Sequence, residues 1–190
     1  MPGLLPLIDP DGLLEFSVVY TDRALNHMSQ RFQGVMRDIS RMLKEVYQAH
    51  SVALVPGSGT FGMESVARQF ASGKHVMVVR NGWFSYRWTQ IFDIDGAGDS
   101  VSMRSTGVDI LISAPQKGWS SSPCCAMVML SERARQAIDQ TQSTTFAMDL
   151  RKWLQVMETY EAGGHVYHTT LPTDALVRLR EVMLETEAYG

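Results

Sequence analysis

The chain has 190 residues, 45% of them hydrophobic, and a formal net charge of −3. It is long and apolar enough for one sizeable core, and it lacks the basic face that would make nucleic acid the default partner. Its only cysteines, Cys124 and Cys125, are neighbours, which disfavours a disulfide, and no Cys/His spacing suggests zinc.

The start, Met1-Pro2-Gly3-Leu4-Leu5-Pro6, has neither the basic segment nor the long apolar run of a secretory signal. No stretch reads as a transmembrane helix, so a soluble, reducing, cytoplasmic setting is expected. Residues 1–28 read as an irregular arm, because Pro2, Pro6 and Pro10 alternate with Gly3 and Gly12. Within it, Leu13 to Tyr20 could pair locally or lie across another subunit. The first helix is expected from about Ser29 to Gln48, with Val35, Ile39, Met42, Leu43, Val46 and Tyr47 at helical spacing. Ser51 to Pro56 reads as a short buried strand.

Gly57-Ser58-Gly59-Thr60 follows, and then an amphipathic helix with Met63, Val66, Ala67 and Phe70. Strand, Gly-rich turn and helix turn backbone N–H groups toward an anion, and the helix N-terminus adds partial positive charge. The plainer reading is a turn with Thr60 as helix cap. The spacing is neither a Walker loop nor a GxGxxG. His75 to Val79 reads as another strand. It runs into Arg80-Asn81-Gly82-Trp83-Phe84-Ser85-Tyr86-Arg87-Trp88, whose four aromatics are either core or a flat face for a planar ring. A helix is expected from Phe84 to about Asp95. Residues 94–107, rich in Gly and Ser, mark the one clear shift in composition.

A strand at 108–112 then leads into Ser113-Ala114-Pro115-Gln116-Lys117-Gly118-Trp119. A lysine in a loop of small residues just past a buried strand has two readings. It is a solvated surface charge, or it is a partly desolvated amine poised to attack an aldehyde. Next come a strand at 126–130 and a helix to about Asp139, with Ser131 as N-cap. A further helix is marked by Leu150, Trp153, Leu154 and Met157 and ends at Gly163-Gly164. After the polar segment His165 to Leu171, Pro172 opens a last helix. His165 and His168 lack a third ligand at metal spacing. The 12 methionines read as core filling.

In this order, Gly57-Ser58-Gly59-Thr60, Asn81-Gly82-Trp83-Phe84, Ser113-Ala114-Pro115-Gln116-Lys117-Gly118 and Tyr167-His168-Thr169-Thr170-Leu171-Pro172 resemble the motifs of class V aminotransferases, nearest the alanine–glyoxylate and serine–glyoxylate branch. The resemblance covers about 1–92 and 101–190. It implies an α/β chain with the aspartate-aminotransferase-like fold, a mostly parallel sheet flanked by helices, and pyridoxal 5'-phosphate as cofactor.

By the same resemblance Lys117 is the catalytic residue, joined to the cofactor as a Schiff base. Ser58, Gly59, Thr60 and Gln116 hold the cofactor phosphate, and Phe84 stacks on the pyridine ring. Tyr167 and Thr170 reach the phosphate of a neighbouring subunit, implying a homodimer. Asn26 and His27 approach the substrate across that interface. The implied reaction moves an amino group from a small amino acid, alanine or serine, to a 2-oxo acid, glyoxylate or pyruvate, with no nucleic acid or membrane partner.

Two parts of the family pattern have no counterpart here. The long middle section, with the aspartate that pairs with the pyridine nitrogen, is replaced by 94–107. The small C-terminal domain, with the arginine that binds the substrate carboxylate, is likewise expected to be absent. Residues 29–190 are therefore expected to be a partial cofactor-binding large domain with a deletion junction near 94–107. Two alternatives are a non-catalytic remnant that binds the cofactor or pairs with another chain, and a cysteine-desulfurase-like lyase using Cys124 or Cys125. For these two cysteines, core packing is the simpler reading.

Overall fold

Helix α1 (Gln30–Tyr47) forms where the apolar residues recur at helical spacing, and it buries Phe32, Val35, Met36, Ile39, Met42 and Leu43 along one stripe. Ser29 starts it by accepting a hydrogen bond from the Phe32 N–H at 3.1 Å. Gln48 ends it in the left-handed region, at φ 56°. These elements come from a computed structural model that describes residues 25–74, 76, 82–92, 103 and 107–189. The expected arm at 1–24, the expected strand at 75–79 apart from Val76, and most of 94–107 lie outside those residues.

Strand β1 (Ser51–Pro56) is buried up to Pro56 and feeds α2 (Gly59–Phe70). Helix α3 (Trp83–Phe92) begins one residue before the sequence reading placed it. Strand β2 (Ile110–Ser113) is half-buried, whereas every residue of β3 (Cys125–Leu130) is buried. Helices α4 (Glu132–Asp139), α5 (Leu150–Glu161) and α6 (Thr173–Tyr189) complete the described chain. Ser131 caps α4 as expected, accepting from the Ala134 N–H at 3.1 Å.

The α/β layout is as read from the sequence, while the described part of the sheet departs from the mostly parallel arrangement expected. Among the described strands the order is β1-β3-β2, and β3 pairs antiparallel with both neighbours. A parallel return needs a crossover of about a dozen residues or more, usually helical. The link from β2 to β3 is the lysine loop, which folds back at one end of the sheet. β1 and β2 therefore run the same way on either side of β3. Strand β2 also starts at Ile110 rather than at residue 108. Asp109 is held by Ser131 and Arg133, whose hydrogen bonds keep its carboxyl below the usual carboxylate range.

Helix α2 lies close on the sheet at Gly62. A Cβ there would sit 2.5 Å from the Ala126 Cβ and 3.0 Å from the Ile112 Cγ2. Strand alternation then places Met127 and Met129 on the opposite face, where they are fully buried. Gly62→Ala sets two effects against each other. Alanine favours a helix by about 1 kcal/mol over glycine, while overpacking a core costs about 1–3 kcal/mol. Because the obstacle is a short Cβ on a central strand, which cannot swing aside, a net loss of about 1–2 kcal/mol is expected. Urea unfolding of the variant checks this. A gain in stability would mean that the helix can lift off the sheet at no cost.

Helices α1, α5 and α6 close the core from another side. The Tyr160 hydroxyl donates to the His27 carbonyl at 2.8 Å, and the Phe32 and Tyr160 rings meet edge to face at 5.9 Å. Around the rim, Lys44 pairs with Glu161 at 2.7 Å and Arg180 with Asp38 at 2.6 Å. Partly exposed pairs of this kind fix orientation more than they add stability. Met36, Met42, Met63, Met127, Met129, Met157 and Met183 are buried, which is the core-filling role expected of them. Among the described residues, no helix is long and apolar enough to cross a membrane.

Candidate active site

Two turns leave the sheet at the same end. β1 runs out into Gly57–Thr60 where Pro56 lies opposite Cys125, and β2 runs into the lysine loop just past the Ser113–Met127 pair. The first turn depends on Gly57, which sits at φ +118° and donates its N–H to the Cys124 carbonyl at 2.9 Å. Ser58, not Thr60, occupies the N-cap of α2, in extended backbone, and its side chain makes no capping bond. Thr60 is already inside the first turn, so the cap moves back by two residues from the sequence reading. The Ser58 hydroxyl is thereby left over at a helix N-terminus, where the end of the helix favours an anion.

The two turns touch. A Cβ on Gly59 would lie 3.5 Å from the Ala114 Cβ. The lysine loop is tied by its own backbone: Lys117 N–H to the Ala114 carbonyl at 3.2 Å, Ser120 N–H to the Lys117 carbonyl at 2.9 Å, and Ser121 N–H to the Pro115 carbonyl at 3.0 Å. Ser120 takes a left-handed conformation, φ 52°, to make that return. Trp119 is buried and pins the loop to the core, whereas Gln116 and Lys117 are exposed.

Helix α3 supplies the third wall. The Lys117 Nζ lies 5.2 Å from the centroid of the Phe84 ring, a cation–π distance. Phe84 is 57% exposed, so its ring is open to a further partner. From the same helix, Arg87 Nη1 donates to the Thr60 hydroxyl at 3.1 Å. Ser58, Gly59, Thr60, Phe84, Gln116 and Lys117 therefore stand on three adjoining elements, Lys117 facing Phe84 and the Gly59 turn against Ala114. Arg87 escaped the sequence reading. Its spacing of three from Phe84, which puts both on one helical face, was the available signal. The buried Trp119 Nε1 and Ser121 Oγ also escaped it; neither has a hydrogen-bond partner among the described residues.

A second group forms elsewhere. The His27 ring lies 5.3 Å from the Tyr167 ring and 6.4 Å from the His165 ring. Burial and then the neighbouring His165 hold the His27 imidazole below its ordinary pKa. Asn26 precedes it, its side chain accepting from the Met28 N–H at 2.9 Å. Thr170 is exposed just beyond. Among the described residues, no hydrogen bond or ring contact of His27 or Tyr167 reaches Lys117, Phe84 or the Gly57–Thr60 turn. His168 has a structural task, with its Nε2 3.0 Å from the Phe146 carbonyl and its ring against Trp153. No cluster of metal-ligating side chains occurs among the described residues.

No protein-family model matches the chain. An 86-residue stretch, 44% of the chain, is 31% identical to the alanine–glyoxylate aminotransferase of Felis catus and spans 20% of that protein. Among solved structures, the alanine–glyoxylate aminotransferase of a Nostoc species superposes with a TM-score of 0.70 at 17% identity, over 88% of this chain and 63% of its own. The pyridoxamine–pyruvate aminotransferase of Mesorhizobium loti gives 0.71 at 11% identity, over 88% and 60%. The ureidoglycine–glyoxylate aminotransferase of Bacillus subtilis gives 0.69 at 17%, over 88% and 61%. The chain thus spans less than two thirds of the length of these relatives.

Proposed function

We propose, from the aminotransferase fold it shares with these relatives, that this chain binds pyridoxal 5'-phosphate at the end of its sheet and serves amino-group transfer. One observation carries the reading: a lysine amine, an open aromatic face and a helix N-terminus with the spare Ser58 hydroxyl meet where the two turns touch. The residues present fit the cofactor. Its phosphate wants helix-terminal N–H groups and hydroxyls, its ring wants a flat apolar face, and its aldehyde wants an amine.

When bound, pyridoxal phosphate supplies an aldehyde and an electron sink. The chain supplies the rest. Ser58, Gly59 and Thr60 hold the phosphate with Gln116, and the Arg87 guanidinium beside Thr60 adds positive charge. Phe84 orients the ring. The Lys117 Nζ is the nucleophile, and it is also the base that takes up a proton from the donor amino acid and returns it. Among the described residues, His27 and Tyr167 make their ring contact with each other at 5.3 Å and not with Lys117 or Phe84. That separation supports a homodimer in which they serve the partner's site. Alanine or serine is the donor and glyoxylate or pyruvate the acceptor; the names of the relatives support alanine, glyoxylate and pyruvate.

Cofactor binding without transfer is the second reading. It is favoured by the exposure of Lys117, since an amine open to water is a surface charge before it is a base. A lyase reading through Cys124 or Cys125 is weaker, because both thiols are buried at the entry to β3. Titrating purified protein with pyridoxal phosphate, followed by addition of alanine or serine, separates these readings. A bound-cofactor absorbance band that shifts to the aminated form on addition of amino acid supports transfer. A band that stays put supports binding alone. No band at all overturns the proposal.

A further inference from the structure

Cys124 and Cys125 are the only cysteines in the sequence, and both are free. Their sulfurs lie 3.8 Å apart, close enough for one thiol to hydrogen-bond the other. Two neighbouring cysteines usually point to opposite faces of a strand. Here Cys124 is still in the loop and Cys125 is the first residue of β3, so the change of backbone direction brings the two sulfurs together. Closing them into a disulfide would strain the geometry, so the pair favours a bridging atom over a direct S–S bond.

We infer that Cys124 and Cys125 form a chelating site for a single thiophilic centre of the trivalent-arsenic class. Soft thiolates select such centres over oxygen-loving cations. Cys124 keeps 7% of its surface open and Cys125 1%, so entry is from the Cys124 side. The hydrogen bond shared with Cys125 holds the Cys124 thiol below its ordinary pKa, which favours the thiolate as first ligand. The same bond and burial push the Cys125 thiol up, so its proton leaves only as its sulfur binds.

For an arylarsine oxide, two As–S bonds form and the As–O bond breaks. Both thiol protons leave with the oxygen as water. Arsenic and sulfur keep their oxidation states, so no oxidant or reductant is needed. The Cys124 carbonyl accepts the Gly57 N–H at 2.9 Å, and Cys125 pairs with Pro56, so the thiol pair belongs to the same end of the sheet as the Ser58 turn.

The test uses the folded full chain with phenylarsine oxide, read by intact mass and by thermal melting. A ligand of the native state raises the melting midpoint, and a ligand of the unfolded chain lowers it. One arsenical per wild-type chain, with the midpoint raised by several degrees, is expected. Cys124→Ala and Cys125→Ala, each left with one sulfur, should show neither effect. If Cys125→Ala does not fold, Cys124→Ala, at the solvent side, decides alone. No adduct, a lowered wild-type midpoint, or the same upward shift in Cys124→Ala would overturn the site.

Discussion

Lys117→Ala is expected to abolish covalent attachment of pyridoxal phosphate. Borohydride reduction after incubation with the cofactor should fix it to the wild-type chain at the peptide carrying Lys117, and to no peptide of the variant. The sequence holds three other lysines, Lys44, Lys74 and Lys152, so the experiment has internal competitors. Lys44 is held by Glu161 at 2.7 Å, and the Lys152 amine lies 3.4 Å from the Gln155 side-chain oxygen. Neither stands beside an aromatic face and a helix N-terminus. Lys117 does, with Phe84 at 5.2 Å. Phe84→Ala should keep the attachment and weaken it by about fivefold, since stacking on an aromatic face contributes on the order of 1 kcal/mol. Attachment spread evenly over the four lysines would refute the assignment.

Trp153→Ala is expected to bring the largest loss of stability, about 3–5 kcal/mol. Trp153 is 1% exposed within α5, and its indole N–H donates to the Ala147 carbonyl at 2.8 Å. The His168 ring packs edge-on to it at 5.1 Å. Removal would therefore open a cavity in the core, leave the Ala147 carbonyl without its donor and release the loop that carries Tyr167 and Thr170. Trp153→Phe keeps most of the volume and loses the hydrogen bond, so it should cost about 1–2 kcal/mol. Urea unfolding of both variants measures the split. Equal losses would mean that the hydrogen bond, rather than the filled volume, holds this part of the core.

The helices were legible because their signals are local. Val35, Ile39, Met42 and Leu43 state a stripe within three turns, and Ser131 just before its helix states a cap. The residues that the structure gathers around Lys117 lie within short motifs, those of Gly57–Thr60 and of the lysine loop each just past a strand end. Sheet direction was not legible. Cys125 to Leu130 is a continuous apolar run, the pattern of a strand buried on both faces that parallel sheets favour, so its residues carry no mark of the antiparallel return. The cap of α2 was misplaced because Ser58 and Thr60 are equally good capping types, and Gly57 at φ +118° decides between them. Arg87 on Thr60 joins residues far apart in sequence, and pairing at that distance leaves no period to read.

The sheet register also sets an order of assembly. Ser113 meets Met127 across a short stretch of chain, while Pro56 meets Cys125 across a long one. Closing the shorter loop costs less chain entropy, so the β2–β3 hairpin can form while β1 is still undocked. The lysine would thus be in its loop before the Ser58 turn arrives. Mutations at Gly57 or Gly59 should then slow the final docking step and leave the early hairpin untouched, a difference that stopped-flow refolding could resolve as two separate phases.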